Sequence, residues 1–488
     1  MYHKSNKKSN LAKLIAIYSV MTLSVIVLVT FITLFVLGYR IDSTNGQLEH
    51  YALLQFSSVP SGATVTVNGK KLSSQTPNKS AVKAGNYSVT ISKAKYQPWT
   101  KTIDIKAGTL QWLNYALLVP VDIAVETVAP YDSLSSSLAS PDGHYMLVQK
   151  QSSVPTFSLA DLSSDTVKFS DITIPTGAYS EAATVGVVHT FTPVEWDKGG
   201  RHILVKHNYS DKFEWIVFDT QDINSSKNIT KTFDFAIESI DFSGESGNVF
   251  YALGSGDVRK LDLSAGTISR SLISGVSSFD VYGPNILTYV GVMSADTKQQ
   301  VVGFYRDGDD KSYVLKTIIN TDNLPVHIAT TRYFNEDYVA ISYGKVFDII
   351  KGTYPNSSIG DVSSLKPFTE QSVNFNISNL SFSPSGQYLL MQNGSDFSSY
   401  DVEYKGLTSS KIDGDGVASK LNWLDDNYVV SDSFGNLTIR EFDGANMHTI
   451  NPVISNQGIT LADNGRYLYS FNKTETGYRL QRVRMILP

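Results

Sequence analysis

Along the chain the spacing of apolar positions changes character once. From Leu14 to Leu37, "LIAIYSVMTLSVIVLVTFITLFVL", no charge appears and only Ser, Thr and one Tyr interrupt the apolar run. As a helix, a run of this length spans about 36 Å, enough for a hydrocarbon core of about 30 Å. Beyond Leu37 no apolar pattern of helical period is sustained over ten residues. Short alternating runs replace it, bounded by Gly, Asn, Asp and Pro, which is the pattern of strands and tight turns. The expected fold is therefore one helix followed by an all-β remainder.

The helix reads as an uncleaved transmembrane anchor. A signal peptide has a shorter apolar region and a small-x-small cleavage site, and the exit "GYRID" offers neither. Lys4, Lys7, Lys8 and Lys13 precede the run and only Arg40 follows closely. The positive-inside rule then places the N-terminus in the cytoplasm and the rest outside, extracellular or periplasmic. A cleaved signal and a buried core helix are the alternatives.

A small β-module comes next. In "VPSGATVTVNGKKL" a turn at Pro60–Ala63 leads into a strand with Val65 and Val67 on one face, then Asn68-Gly69, a pair suited to a type I′ hairpin. Ala84-Gly85-Asn86 makes a second turn into "YSVTIS", with Tyr87, Val89 and Ile91 on a common face. "KTIDIKAG" alternates Ile103 and Ile105 with polar partners. On Pro60, Gly62, Ala63, Asn68-Gly69-Lys70, Thr76-Pro77, Ala84 to Tyr87, and Lys93 to Tyr96 before Pro98, the segment resembles the PEGA domain of prokaryotic surface and envelope proteins. Ser61 stands where that motif has Glu, and Gln75 and Lys95 stand where glycines are common. The resemblance implies a sandwich-like structural module with no catalytic residues to carry over.

The long remainder repeats itself: a turn rich in Asp, Gly and Asn, then a strongly apolar strand. The units start at Ser140, Trp196, Phe242, Val281, Phe334, Phe382, Trp423 and Leu461. Starts 38 to 56 residues apart suit a four-stranded propeller blade of about 40 to 50 residues. "HILV", "YLLM" and "YVAI" read as inner strands covered on both faces. Ser140-Pro141-Asp142-Gly143 and Phe382-Ser383-Pro384-Ser385-Gly386 resemble the turn of TolB-like and WD40-like propeller repeats, with Trp423 to Asp426 a variant. Eight blades are expected, seven being the alternative, with "VPVDIAVETV" from Val119 able to supply a closing strand. The divisions are a basic tail 1–13, a transmembrane helix 14–38, a linker 39–52, the PEGA-like module 53–120 and the propeller 121–488.

Charge and composition narrow the function. The net charge is -5, and after the first 38 residues 37 bases face 46 acids, so nucleic acid is a poor partner. With no cysteine, disulfides, thiolate catalysis and Cys-ligated metal are excluded. No G-x-S-x-G, H-E-x-x-H or phosphate-loop motif occurs. His202 and His207 are five apart on a strand and point to opposite faces, so no shared metal is expected. "DGDDKS" from Asp307 and "DGDG" from Asp413 lack an EF-hand's full ligand set and read as turns rather than Ca²⁺ loops. Asp425 and Asp426 are adjacent and point apart; a glycosidase pair would have to come from different blades. Trp196 and Trp423 precede inner strands and read as packing residues, with sugar stacking the alternative.

No catalytic, cofactor or metal residue is therefore named, and the ligand-binding residues are unknown from sequence. The expected function is that of a non-enzymatic membrane-anchored surface protein whose propeller binds an envelope protein or polysaccharide. The alternatives are a propeller-type polysaccharide hydrolase or lyase, with acids converging at the channel mouth, and an envelope assembly factor.

Overall fold

The structure, a computed structural model, describes residues 7–36, 38–41, 46–181, 186–244, 246–355 and 364–488. It divides into two compact units, Met1–Asp122 and Ile123–Pro488.

The first unit opens with the helix Lys7–Val36. Its segment Lys13–Val36, 24 residues, is long and apolar enough to cross a membrane, and none of it is buried against protein. The hydroxyls of Ser24, Thr30 and Thr33 donate to carbonyls four residues back at 2.8 Å, so these polar groups need no water. The expected linker is not featureless: Tyr39–Ile41 pairs with Leu48–His50. Two sheets follow. One orders Asn78–Val82, Ala52–Val59 and Leu110–Leu117, the last two parallel. The other orders Lys70–Gln75, Thr64–Val67, Gly85–Ser92 and Trp99–Ile105. Period-two alternation sends Leu54, Phe56, Val65, Val89, Ile91 and Trp99 into a dry interior. Asn68 and Gly69 both adopt positive φ, 46° and 76°, which is what the type I′ reading of that hairpin requires.

The second unit is a β-propeller. Among the described residues it forms eight sheets, each a meander of four antiparallel strands, with Ile273–Ser274 an added short strand on the third. Each of the eight sequence repeats supplies the turn and second strand of one sheet: Tyr145–Gln149, His202–Tyr209, Val249–Gly254, Ile286–Gly291, Glu336–Tyr343, Tyr388–Asn393, Tyr428–Ser431 and Tyr467–Lys473. The apolar runs are second strands, flanked by a paired strand on either side, and the innermost place belongs to the less apolar first strands, several of which approach one another from sheet to sheet. A second strand is apolar on both faces because each face packs on a neighbouring sheet.

The eighth sheet is composite. Val125–Tyr131 pairs with Tyr478–Arg484, so a strand from the start of the unit completes the last sheet, a little downstream of the segment expected from Val119. Its core joins the first sheet: Tyr131, Tyr467, Phe471 and Leu480 pack with Met146, Val148 and Ala160. Equivalent clusters join successive sheets around the series, for example Phe157 of the first with Phe218 of the second, ring centroids 5.6 Å apart.

Candidate functional site

The first strands bring three acids together. Glu195, Asp241 and Asp280 lie on His189–Trp196, Ser239–Phe242 and Val276–Gly283, the first strands of the second, third and fourth sheets. Burial, together with the charge and hydrogen bond of Asp241, pushes the Glu195 carboxyl up to about 9. Burial and the charge of Asp280 push Asp241 up to about 6. Asp280 is raised by burial against the opposing effect of Thr330, whose hydroxyl donates to it at 2.8 Å. Lys198 lowers all three. At neutral pH Glu195 keeps its proton and donates it to Asp241, because adjacent carboxylates in a poorly solvated place do not both ionise. Glycosidase carboxyls stand about 5 to 9.5 Å apart across the sugar, whereas the Glu195 and Asp241 carboxyls share a hydrogen bond with each other.

A second constellation lies at one end of the propeller. In a four-stranded meander the hairpins between second and third strands share an end with the connections between sheets. At that end of the second sheet, Ser180 comes from the connection, His189 from the first strand, and His207 and Glu214 flank the hairpin. His207, fully buried, stands 2.8 Å from Glu214 Oε1 through Nδ1 and 2.8 Å from His189 Nδ1 through Nε2. The Ser180 N–H and hydroxyl donate to the two Glu214 oxygens at 2.7 Å each. Phe191 and Tyr209 stack on the His207 ring, centroids 4.2 and 5.1 Å away. Since an ionised carboxylate only accepts, His207 Nδ1 carries the proton on the Glu214 side and the chain runs outward to half-buried His189.

Burial opposes ionisation of Glu214, but the hydrogen bonds from His207 and Ser180 outweigh it and hold the carboxyl at about 2. A depressed carboxyl stabilises the fold above its unfolded value of 4.5, and this contribution is lost as pH falls toward 2. Glu214→Gln is expected to cost about 3 kcal/mol at pH 7. Chemical denaturation at pH 7 and pH 2.5 checks it, because the difference between variant and parent must shrink at the lower pH.

The same end exposes large apolar side chains. Val188, 72 % exposed, precedes His189, and Val417, 91 % exposed, sits in the connection before the seventh sheet. Val154, Phe213, Val292 and Ile319 are exposed on hairpins or strand ends of this side. The Lys206 ammonium lies 4.1 Å from the Phe213 ring centroid, a cation–π contact that holds the ring at the surface.

The structure brings none of the other sequence candidates into these constellations. His202 pairs with Asp197 at 2.6 Å, on the turn side of its strand, and borders a polar cleft of about 350 Å³ with Arg201, Asp219 and Lys227. The loop from Asp307 is cross-linked by cations: Asp307 to Lys260, Asp309 to Arg306 and Asp310 to Arg270. Asp413 belongs to the connection that carries Val417, where Gly414 and Gly416 take φ of 145° and 117°. The Asp425 side chain accepts N–H bonds from Asn427 and Tyr428 at 2.7 and 2.8 Å and shapes its own turn. Trp196 is buried, with Nε1 donating to Leu138 O at 3.2 Å in the first sheet, and Trp423 Nε1 donates to Ser381 Oγ at 3.2 Å in the sixth. Both tryptophans join neighbouring sheets, and burial rules out sugar stacking for Trp196.

The acids escaped the sequence reading although a signal was present: Glu195, Asp241 and Asp280 each occupy the position just before a repeat start, in three successive repeats. The Glu214, His207 and His189 chain had no such signal.

Residues 52–118 match the family model of the PEGA domain. No curated protein matches the chain. Among solved structures, the chain is similar to the Cps50 (Swd1) β-propeller domain of Myceliophteria thermophila, at 12 % identity and a TM-score of 0.41 over 68 % of this chain and 100 % of that one. It is similar to apo AztD from Citrobacter koseri at 8 % identity and a TM-score of 0.39, over 80 % of this chain and 96 % of that one. An oligogalacturonate lyase in complex with manganese gives 12 % identity and a TM-score of 0.36, over 62 % of this chain and 96 % of that one.

Proposed function

We propose that the chain is a non-enzymatic, single-pass membrane protein of the cell surface whose propeller binds an envelope protein or polysaccharide. The N-terminus is cytoplasmic in this reading, and the PEGA module and propeller are extracellular or periplasmic. The observation that carries it is the exposure of Val154, Val188, Phe213, Val292, Ile319 and Val417 at the hairpin-and-connection end of the propeller, on the first, second, fourth and seventh sheets. Loops held by a rigid scaffold are where binding residues are disproportionately found. Nucleic acid is disfavoured, since residues 123–488 hold 28 bases and 42 acids. A polysaccharide hydrolase or lyase is the weaker reading because Glu195 and Asp241 share a proton instead of flanking a substrate. An envelope assembly factor would use the same surface.

The test compares the full chain with its Val188→Asp/Phe213→Asp variant, both in detergent, for retention of envelope proteins and of purified wall polysaccharide. The unaltered chain is expected to retain a protein or glycan at least tenfold better than the variant. Equal retention by both, or none by either, overturns the reading.

A further inference from the structure

The hydrogen-bonded chain at the end of the second sheet has a direction. Glu214 is ionised at neutral pH, and its oxygens then only accept. His207 turns its Nδ1–H toward Glu214, 2.8 Å away, which leaves a lone pair on His207 Nε2. That lone pair takes the Nδ1–H of His189 at 2.8 Å, so His189 in turn is left with a lone pair on Nε2. The polarity of the buried carboxylate is thereby carried two rings outward, to one atom.

That atom is open. His189 is half-buried, and its Nε2 makes no hydrogen bond among the described residues and is not sealed from solvent. The ring itself is held in place. It lies nearly parallel to His207, Phe191 and Tyr209, at interplanar angles of 11°, 12° and 11°, and the Tyr179 ring meets it edge-on with centroids 6.5 Å apart. On the neighbouring pair of the same two strands, Asn208 Nδ2 donates to Thr190 Oγ1 at 3.2 Å. The lone pair therefore has one direction as well as one location. A carboxylate behind a histidine, fixing its tautomer and its ring, is the usual support of an imidazole that meets a ligand.

The ligand follows from the tautomer. A lone pair calls for a hydrogen-bond donor. One further proton on the chain would place an N–H on His189 Nε2 whichever ring carried the charge, and the same atom would then donate. An amide N–H suits only the first state and a carboxylate only the second, whereas a hydroxyl suits both, because it donates and accepts. Hydroxyls set among C–H groups are the surface of a sugar. Beside His189 the half-buried Tyr179 and Tyr209 rings and the exposed Val188 supply apolar contact for such a surface.

We propose that His189 Nε2 is the hydroxyl-binding atom of a sugar subsite at the hairpin-and-connection end of the propeller, with His207 and Glu214 as its positioning residues. The inference rests on reading this end as the binding surface, and of the two ligands named for that surface it selects the polysaccharide.

The experiment uses the full chain in detergent, its histidines labelled with nitrogen-15, and the His189→Phe variant, which keeps a ring and loses the acceptor. Retention of purified wall polysaccharide is measured beside retention of envelope proteins. The His189 ring nitrogens are read by NMR at pH 8, the variant identifying their signals. The unaltered chain is expected to retain polysaccharide at least tenfold better than the variant, and its His189 signals to show the Nδ1–H tautomer and to move when polysaccharide is added. Equal retention of polysaccharide by both chains, retention of protein alone by the unaltered chain, or an Nε2–H tautomer at pH 8 overturns this inference and leaves the binding surface standing. Retention of neither by the unaltered chain overturns both. Should the variant fail to fold, the tautomer of the unaltered chain and its response to polysaccharide decide the matter.

Discussion

Glu195→Gln is expected to make the propeller more stable than the unaltered chain at pH 8, with the gain disappearing below pH 4.5. The acid is held at about 9 by burial and by Asp241, against an ordinary value of 4.5. Between those values the folded chain keeps a proton that the unfolded chain releases. Stability therefore falls as pH rises through this window. Glutamine removes the titration while its amide still donates to Asp241. The gain at pH 8 is on the order of 2 kcal/mol, allowing for proton sharing with Asp241 and for Lys198 nearby. Thermal denaturation of parent and variant from pH 4 to pH 9 measures it. A variant less stable than its parent throughout would mean that Glu195 is ionised and paired with Lys198, and the shared-proton account of Glu195 and Asp241 would be wrong.

Leu480→Asp is expected to destroy the cooperative unfolding of the whole propeller rather than to weaken one sheet. Leu480 is fully buried on Tyr478–Arg484, the strand that lies between Val125–Tyr131 and Tyr467–Lys473. Its side chain belongs to the cluster that joins the last sheet to Met146 and Val148 of the first. An unpaired carboxylate there costs about 3–5 kcal/mol, and the lost leucine packing adds about 2–5 kcal/mol. Domain stabilities are only about 5–15 kcal/mol, so the sum is comparable to the whole. Calorimetry should show the propeller transition lost while the module, a separate compact unit, keeps its own. Leu480→Ala provides a graded control and should lower the propeller midpoint without abolishing it. An unchanged propeller transition in both variants would show that this seam does not close the ring.

The sequence by itself determined the local parts of this protein. The uncharged run from Leu14 to Leu37, the alternation of Val65 and Val67 before Asn68-Gly69, and the eight turn-and-strand units were all legible because side-chain period and turn chemistry depend on residues a few positions apart. The tertiary structure decided everything that joins distant residues. It made Val125–Tyr131 the partner of Tyr478–Arg484, and it placed the apolar runs second in each sheet, where both faces are covered by neighbours. It brought together three acids, successive ones 39 to 46 positions apart in the chain, two of which, Glu195 and Asp241, share a proton. It joined Ser180, His189, His207 and Glu214 into one hydrogen-bonded chain.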